Sequence, residues 1–438
     1  MKKINYYLIL AICFLLPSYL VRFEVFGVPT TLLEILIYVS AIFSLILKFT
    51  SKDSSSTLKM TNKSSSKNIL TWKIWLPIVL FIIAGIISIV ISPDKRVALG
   101  QFKGFILDPI LFFWVIFANI KNEKEINSML YSFVASGIYV SIFAIWQKFS
   151  SQLTADNRIV GLFGYSPNYL AFYMVPLTLV LLFLFYPKTS SGVSKNIKLH
   201  FEGNKKIWLN ILSVFLFFIY VYVIYLTSSR AGLISLLGAI VGGIIIKNIV
   251  LSKIKKSLKY FIVIFLIILT LVVGYKYLKP DFSLSPELGG RITSSNNIRW
   301  QIWDTTITKI IPLDSNWVWG LGLGNYQSYF SNLTSDWVNY PEWISPWALT
   351  PHNLFLHTLL NIGILGLVAF IWIIYIFFKN INFKSLASFA VFTAMLAIMT
   401  QGLIDTPYWK NDLSAMFFMF LAIVLIIKHI NKKNETIS

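Results

Sequence analysis

The sequence predicts an all-α integral membrane protein, with about 12 transmembrane helices and one large extracytoplasmic loop containing short helices. Three observations predict it. Only 13% of the 438 residues are charged and 56% are apolar, where a soluble protein carries about 25% charge. The missing charge coincides with repeated apolar runs of about 17–25 residues, the length that crosses a bilayer as helix. The Lys and Arg residues collect between those runs and favour one side. A membrane β-barrel would instead alternate in segments of about ten residues, and no such alternation is present.

The apolar runs fall at 5–21, 28–47, 74–92, 99–118, 128–147, 166–186, 208–227, 231–247, 260–277, 352–378, 385–403 and 413–428. An even number places both termini on one side. With the N-terminus inside, 25 of the 38 Lys and Arg residues fall on inside segments, as the positive-inside rule requires. The net charge of +20 is therefore a signal of topology and not a nucleic-acid footprint. Membrane lipids are the expected surroundings, and no nucleic-acid partner is expected. Met1-Lys2-Lys3 imitates the start of a signal peptide, but no small-residue cleavage site follows, so the first run is read as a retained helix. Cys13 is the single cysteine, which rules out a disulfide framework and a thiolate metal site.

Three regions follow from the spans. Residues 1–278 form an N-terminal transmembrane bundle of about nine spans, 279–351 the extracytoplasmic loop, and 352–438 a C-terminal part of about three spans. The inside segments 49–72 and 187–207 are rich in Ser, Lys, Asn and Gly and read as linkers. The 279–351 loop holds Trp300, Trp303, Trp317, Trp319, Trp337, Trp343 and Trp347, half of the 14 tryptophans. Within it, Trp300, Trp303, Ile307 and Ile310 lie at helical spacing. Ser294 to Asn297 offer N-caps and Pro312 a stop, so an amphipathic helix is expected there.

Ionisable residues at the edge of a membrane span call for a reason, because placing them in lipid costs about 2.5–3.5 kcal/mol at mid-depth. Four stand at the expected outer face. Arg230, in Thr227-Ser228-Ser229-Arg230-Ala231-Gly232, has small neighbours that let helices approach and would turn it toward the bundle interior; otherwise it is a snorkelling arginine. Arg299 opens the loop helix, where free N–H groups and a guanidinium together suit an anion; a solvated surface arginine is the plainer reading. Arg291 is its weaker companion. His352, in Thr350-Pro351-His352-Asn353, sits where the loop enters the next span, and histidine titrates near neutral pH. His357 is expected to pack elsewhere on the helix. Asp405, in Leu403-Ile404-Asp405-Thr406-Pro407, could orient a base or an arginine, or be a plain interfacial carboxylate.

No Asp-x-Asp pair, no metal-ligand spacing and no Walker-type loop occurs, so neither a metal nor a cofactor is expected. Gly320-Leu321-Gly322-Leu323-Gly324-Asn325 imitates a phosphate loop but follows no strand, and reads as a tight turn. Arginines bind phosphate oxygens bidentately, and aromatic faces suit sugar rings. The set fits an acidic, lipid-linked phosphate or diphosphate at the outer leaflet.

Several ordered elements carry a resemblance. They are Arg158-Ile159-Val160-Gly161-Leu162-Phe163 with Ser166-Pro167-Asn168-Tyr169; Ser229-Arg230-Ala231-Gly232; Arg299-Trp300 with Trp303; Gly320 to Tyr326; Pro351-His352-Asn353-Leu354 with Asn361-Ile362-Gly363; and Asp405-Thr406-Pro407. In this order the chain resembles the O-antigen ligase/polymerase family of bacterial membrane proteins. One departure is Asp314-Ser315-Asn316-Trp317, which makes the connection after Pro312 longer than the family's usual one.

The resemblance implies a membrane glycosyltransferase with an undecaprenyl-diphosphate-linked glycan as donor and a lipid, glycan or protein as acceptor. It implies a place in the bacterial cytoplasmic (inner) membrane, with cytoplasmic termini and an extracytoplasmic active site. The implied catalytic residues are His352, Arg299, Arg230 and Asp405. Arg230, Arg299, Arg291, Arg158, Asn168, Trp300 and Trp303 are the expected substrate-binding residues. Ligase-type transfer is favoured, with a polymerase of the same family as the alternative. A polysaccharide flippase or transporter is the alternative of a different class, and Glu34 and Asp108 would be its mid-span acids.

Overall fold

The end of each apolar run decides where its helix stops. The computed structural model describes residues 1–25, 28–53, 72–154, 157–164, 166–185, 204–252, 295–335 and 348–435. The expected span 260–277, Arg291, Trp337, Trp343, Trp347 and most of both linkers lie outside the described residues. The first run does not form one helix. α1 (Lys2–Phe14) stops before Pro17, which opens a 3-10 turn, Leu16–Leu20; proline has no N–H to continue an α-helix.

The next segment adds a short hairpin to the helical fold. β1 (Arg22–Val25) and β2 (Val28–Thr31) pair antiparallel, Arg22 opposite Thr31 and Val25 opposite Val28. The second span therefore begins at residue 32 instead of 28. At its start the Thr31 N–H donates to Glu34 Oε2 (3.1 Å) and the Glu34 N–H to Thr31 Oγ1 (3.3 Å), a reciprocal cap that satisfies two otherwise unpaired N–H groups.

The remaining long elements are α2 (Leu32–Asp53), α3 (Trp72–Ile91), α4 (Lys95–Phe102) running through a π-turn into α5 (Asp108–Asn119), α6 (Glu123–Phe149), α7 (Pro167–Leu184), α8 (Asn204–Leu226) and α9 (Arg230–Leu251). Loop helices α10 (Ser295–Thr305), α11 (Asn316–Trp319) and α12 (Tyr326–Leu333) follow, then α13 (Leu354–Lys379), α14 (Leu386–Gly402) and α15 (Asn411–Glu435). Among the described residues, nine helices are long and apolar enough to cross a membrane, with α4 and α5 counted as one. α14 matches an expected span but has only 17 residues, roughly 25 Å of helix. Apart from one hairpin among the described residues, the chain is an all-α, multi-pass membrane protein.

α7, α14 and α15 are buried around nearly their whole circumference, the mark of helices enclosed by others. α14 packs on α7 and α9, α15 on α5, and α13 on α3. α8 and α9 expose Phe215, Phe218, Ile234, Leu237 and Val241 along their outer faces, the apolar surface that lipid covers.

The expected tight turn at 320–324 has a structural task. α13 breaks at Ile362 and Gly363, where Gly363 takes φ +66°. A break inside a span frees carbonyl groups that lipid cannot satisfy. The Leu321 N–H donates to the Leu360 carbonyl at 2.6 Å, Ser88 Oγ donates to the Asn361 carbonyl at 2.6 Å, and the Leu323 N–H donates to Ser88 Oγ at 2.7 Å. Backbone meets backbone here: a Cβ on Gly320 would lie 2.8 Å from the Leu360 carbonyl oxygen. Gly363→Ala should therefore destabilise the protein by about 1–3 kcal/mol or more, read as a lower unfolding midpoint in detergent. An unchanged midpoint would show that the break tolerates a side chain.

Candidate functional site

Three connections, those ahead of α7, α13 and α15, meet at one end of the bundle, and each contributes a polar side chain held by the local fold. Ahead of α7, Gln147 Oε1 accepts from the N–H groups of Val160 and Gly161 (3.1 and 2.8 Å) and fixes the strand of chain that carries Arg158. Arg158 donates from Nε to the Thr227 carbonyl (2.7 Å) and from Nη2 to Asn168 Oδ1 (3.2 Å). Ser166 caps α7, which places Asn168 in the first turn. The Asn168 amide in turn donates to Asp405 Oδ2 at 2.9 Å.

Ahead of α13, Asn353 caps the helix by accepting from Phe355 and Leu356 N–H, both at 3.0 Å, and donates to the Leu403 carbonyl at 2.9 Å. His352 precedes it in the left-handed region, φ +45°, a conformation uncommon for residues other than glycine. Trp303 of α10 donates its indole N–H to the Pro351 carbonyl (2.9 Å) and reaches that of His352 (3.3 Å). Trp300 packs edge-on against Trp303, ring centroids 5.5 Å apart. Arg299 Nε donates to the Ile404 carbonyl at 3.1 Å. Two side chains one turn apart on the loop helix, which begins at Ser295 and not at Arg299 as expected, thus brace the residues flanking both His352 and Asp405.

Asp405 is the meeting point. Its Oδ1 accepts from the Thr406 N–H (3.0 Å) and lies 3.2 Å from His352 Nδ1. Burial alone would raise its pKa, but the His352 ring, Arg299 and the Thr406 N–H outweigh it and hold the carboxyl below the usual carboxylate range. Asp405 is ionised at neutral pH. A neutral His352 oriented by this carboxylate carries its proton on Nδ1 and presents Nε2 as the basic nitrogen. Burial pushes the Arg299 pKa down, though a guanidinium stays charged at any physiological pH.

His352 and Asp405 open on a cavity of about 380 Å³, walled also by Asn168, Tyr169 and Phe172 of α7, Thr350, and Lys410 ahead of α15. The N-termini of α7 and α13 both end at this wall, and helix N-termini favour anions.

The structure brings together His352, Asp405, Asn168, Arg158, Arg299, Trp300 and Trp303. Arg230 does not join them: it opens α9 with its side chain exposed, instead of turning to the interior as its small neighbours suggested. Ser229 takes the interior position and is buried. His357 packs as expected, its ring edge-on to Trp409 at 5.4 Å. Of the two acids named for transport, Glu34 lies in the first turn of α2 and pairs with Lys103 (2.8 Å), and Asp108 accepts from Tyr38 Oη (2.7 Å). The residues that sequence reasoning missed are Tyr169 and Lys410. Lys410 had one available signal, a lysine on the face where the positive-inside pattern makes lysine scarce.

Residues 215–371 match the family model described as O-Antigen ligase. A protein of Rickettsia typhi named "Putative polysaccharide ligase" is 29% identical over 220 residues, covering 48% of this chain and 52% of the relative. Its counterpart in Rickettsia prowazekii is 28% identical over 221 residues, with the same coverage. Residues 215–371 are thus similar to the O-antigen ligase family, and the two relatives match about half of the chain. The chain spans about half the length of the curated relatives it matches. The family region runs from α8 into α13 and contains Arg230, Arg299 and His352; Asn168 and Asp405 lie on either side of it.

Asn168 links two charged groups, so its loss should be felt as stability. Asn168→Leu leaves a buried carboxylate oxygen and an arginine N–H without this partner, at a cost of about 1–3 kcal/mol. The check is the unfolding midpoint in detergent, where Asn168→Asp should be worse still, since it sets a second carboxylate against Asp405.

Proposed function

We propose that this protein is a membrane glycosyltransferase that moves a glycan from undecaprenyl diphosphate to an acceptor on the extracytoplasmic side, without a metal. The observation that carries the reading is the Asp405–His352 pair at the wall of a cavity between helix N-termini. It supplies a base whose orientation is held by a buried carboxylate.

In the proposed step His352 Nε2 takes the proton of an acceptor hydroxyl as its oxygen bonds to the anomeric carbon of the donor sugar. The bond from that carbon to the diphosphate oxygen breaks, and the electron pair leaves with the diphosphate. Arg299 and the helix N-termini stabilise the growing negative charge. Asp405 stabilises the imidazolium that forms. Asn168, itself held by Arg158, holds Asp405, and Arg230, exposed at the start of α9, meets the donor outside the cavity.

The relatives' name favours ligase-type transfer over polymerisation. The placement of Glu34 at a helix start, in an ion pair, weighs against a transporter built on mid-span acids. The metal-free reading rests on a sequence without Asp-x-Asp pairs. The Lys and Arg distribution supports cytoplasmic termini and the inner membrane as location.

Purified protein given an undecaprenyl-diphosphate-linked glycan, an acceptor and EDTA should form product. His352→Ala should lower turnover by about 10²–10⁴-fold, and Arg299→Ala should abolish most transfer. Product length separates a single transfer from a polymer. Wild-type turnover in His352→Ala removes the base; dependence on added metal removes the mechanism.

A further inference from the structure

Among the described residues, none of the arginines singled out from the sequence forms the wall of the cavity. Arg158 donates to Asn168 and Arg299 acts on Asp405 through its field, and each has its Nε on a backbone carbonyl. The one Lys or Arg among the described lining residues is Lys410. Its ammonium lies 3.4 Å from the Tyr169 ring centroid and 5.5 Å from those of Tyr19 and Phe163. It donates to Tyr19 Oη at 2.9 Å.

The backbone beneath it is fixed. The Lys410 carbonyl accepts from Ser414 N–H and Oγ (2.9 and 2.7 Å), Tyr408 Oη donates to the Phe105 carbonyl (2.8 Å), and Trp409 Nε1 donates to Thr358 Oγ1 (3.3 Å). Asp412 and Arg22 act on Lys410 through their fields, but among the described residues no carboxylate lies within ion-pair distance of it. An ammonium has three N–H donors. One is taken by Tyr19 and one side is covered by the Tyr169 face, which leaves donor capacity toward the cavity.

Resting on the transferase reading, we propose that Lys410 is a substrate-contacting residue that grips the diphosphate of the lipid-linked donor across the cavity from His352. Burial pulls the Lys410 pKa down to about 8, which leaves the ammonium mostly charged at neutral pH, and aromatic faces hold that charge without a carboxylate to neutralise it, available to an incoming oxyanion. Tyr19, ahead of the hairpin, and Tyr169, on α7, thereby become positioning residues for that contact.

The test is equilibrium binding of farnesyl diphosphate to the full-length protein in detergent, with farnesol as the uncharged control and Lys379→Gln as the control for bulk charge. Lys379 is exposed, near the Tyr375 ring at 5.2 Å and far along α13 from the site. Wild type and Lys379→Gln should prefer farnesyl diphosphate to farnesol. Lys410→Gln should bind the diphosphate about 10–100-fold more weakly, and Lys410→Arg should restore most of the loss. In wild-type protein, farnesyl diphosphate should also protect Lys410, but not Lys379, from an amine-reactive reagent, a reading that depends on no variant folding. Undiminished binding by Lys410→Gln, or labelling of Lys410 unaffected by ligand, overturns this role and leaves the transferase reading standing. A wild-type protein that does not distinguish farnesyl diphosphate from farnesol overturns the diphosphate donor and the Lys410 contact together.

Discussion

A carboxylate removed from water must be met by donors, and at this end of the bundle that requirement falls on Asp405. It is 5% exposed. Removing one partner of a buried charge typically costs about 3–5 kcal/mol, so each donor that reaches Asp405 is tied firmly to the others. Asn168 comes from α7, His352 from the entry to α13, and the Thr406 N–H from its own segment. Elements separated by more than 200 positions in the chain are thereby held in one geometry. The His352 ring is oriented as a consequence, because the carboxylate that needs it also fixes which nitrogen faces Asp405.

The same logic applied to backbone explains the loop. A helix that breaks inside a membrane leaves carbonyls with no solvent to turn to. The break at Gly363 is tolerated because Leu321 and Ser88 supply the missing donors. Gly320 and Gly363 are glycines because the two backbones approach too closely for a Cβ on either. The turn after α11 is therefore a plug in α13, and it holds the loop helices against the span whose first residues follow His352. Trp303 closes the other side by bonding the carbonyls of Pro351 and His352. Loop and span are braced on both sides of the histidine, which keeps it in a left-handed conformation that an unbraced chain would leave.

How much of this was legible in the sequence depends on the range over which each feature is determined. Helix identity is local: apolar runs at 74–92, 128–147 and 166–186 became α3, α6 and α7 within a few residues. The hairpin at 22–31 was not legible, because its second strand, Val28–Thr31, reads as the beginning of an apolar run that continues into α2. The break at Gly363 was hidden for the opposite reason. Its flanking residues are uniformly apolar, and only the distant Gly320–Gly324 turn makes it possible. His352, Asp405 and Arg299 could be found because charge at a membrane boundary is conspicuous. Arg230 was equally conspicuous but lies exposed, since small flanking residues determine only that a helix can approach, not which side chain turns inward. Tyr169 and Lys410 escaped notice because an aromatic and a lysine next to a span are ordinary until the fold sets one upon the other.

The arrangement also separates two tasks that a list of basic residues would merge. A guanidinium whose Nε is committed to a backbone carbonyl, as in Arg158 and Arg299, is held rigidly. Its charge still acts across the site: two unit charges about 8 Å apart at an effective dielectric near 20 interact by about 2 kcal/mol. That is enough to favour an anion in the cavity without touching it, and it needs no reorganisation when the leaving group gains charge. Contact demands something different, a donor that faces the cavity and can follow the oxygen as it moves. An ammonium on a flexible stem, with rotatable N–H groups, meets that demand where a planar fork does not. On the proposed reading, the fixed arginines and the caged lysine therefore complement one another: the first would set the potential in which His352 works, and the second would decide where the charge of the donor comes to rest.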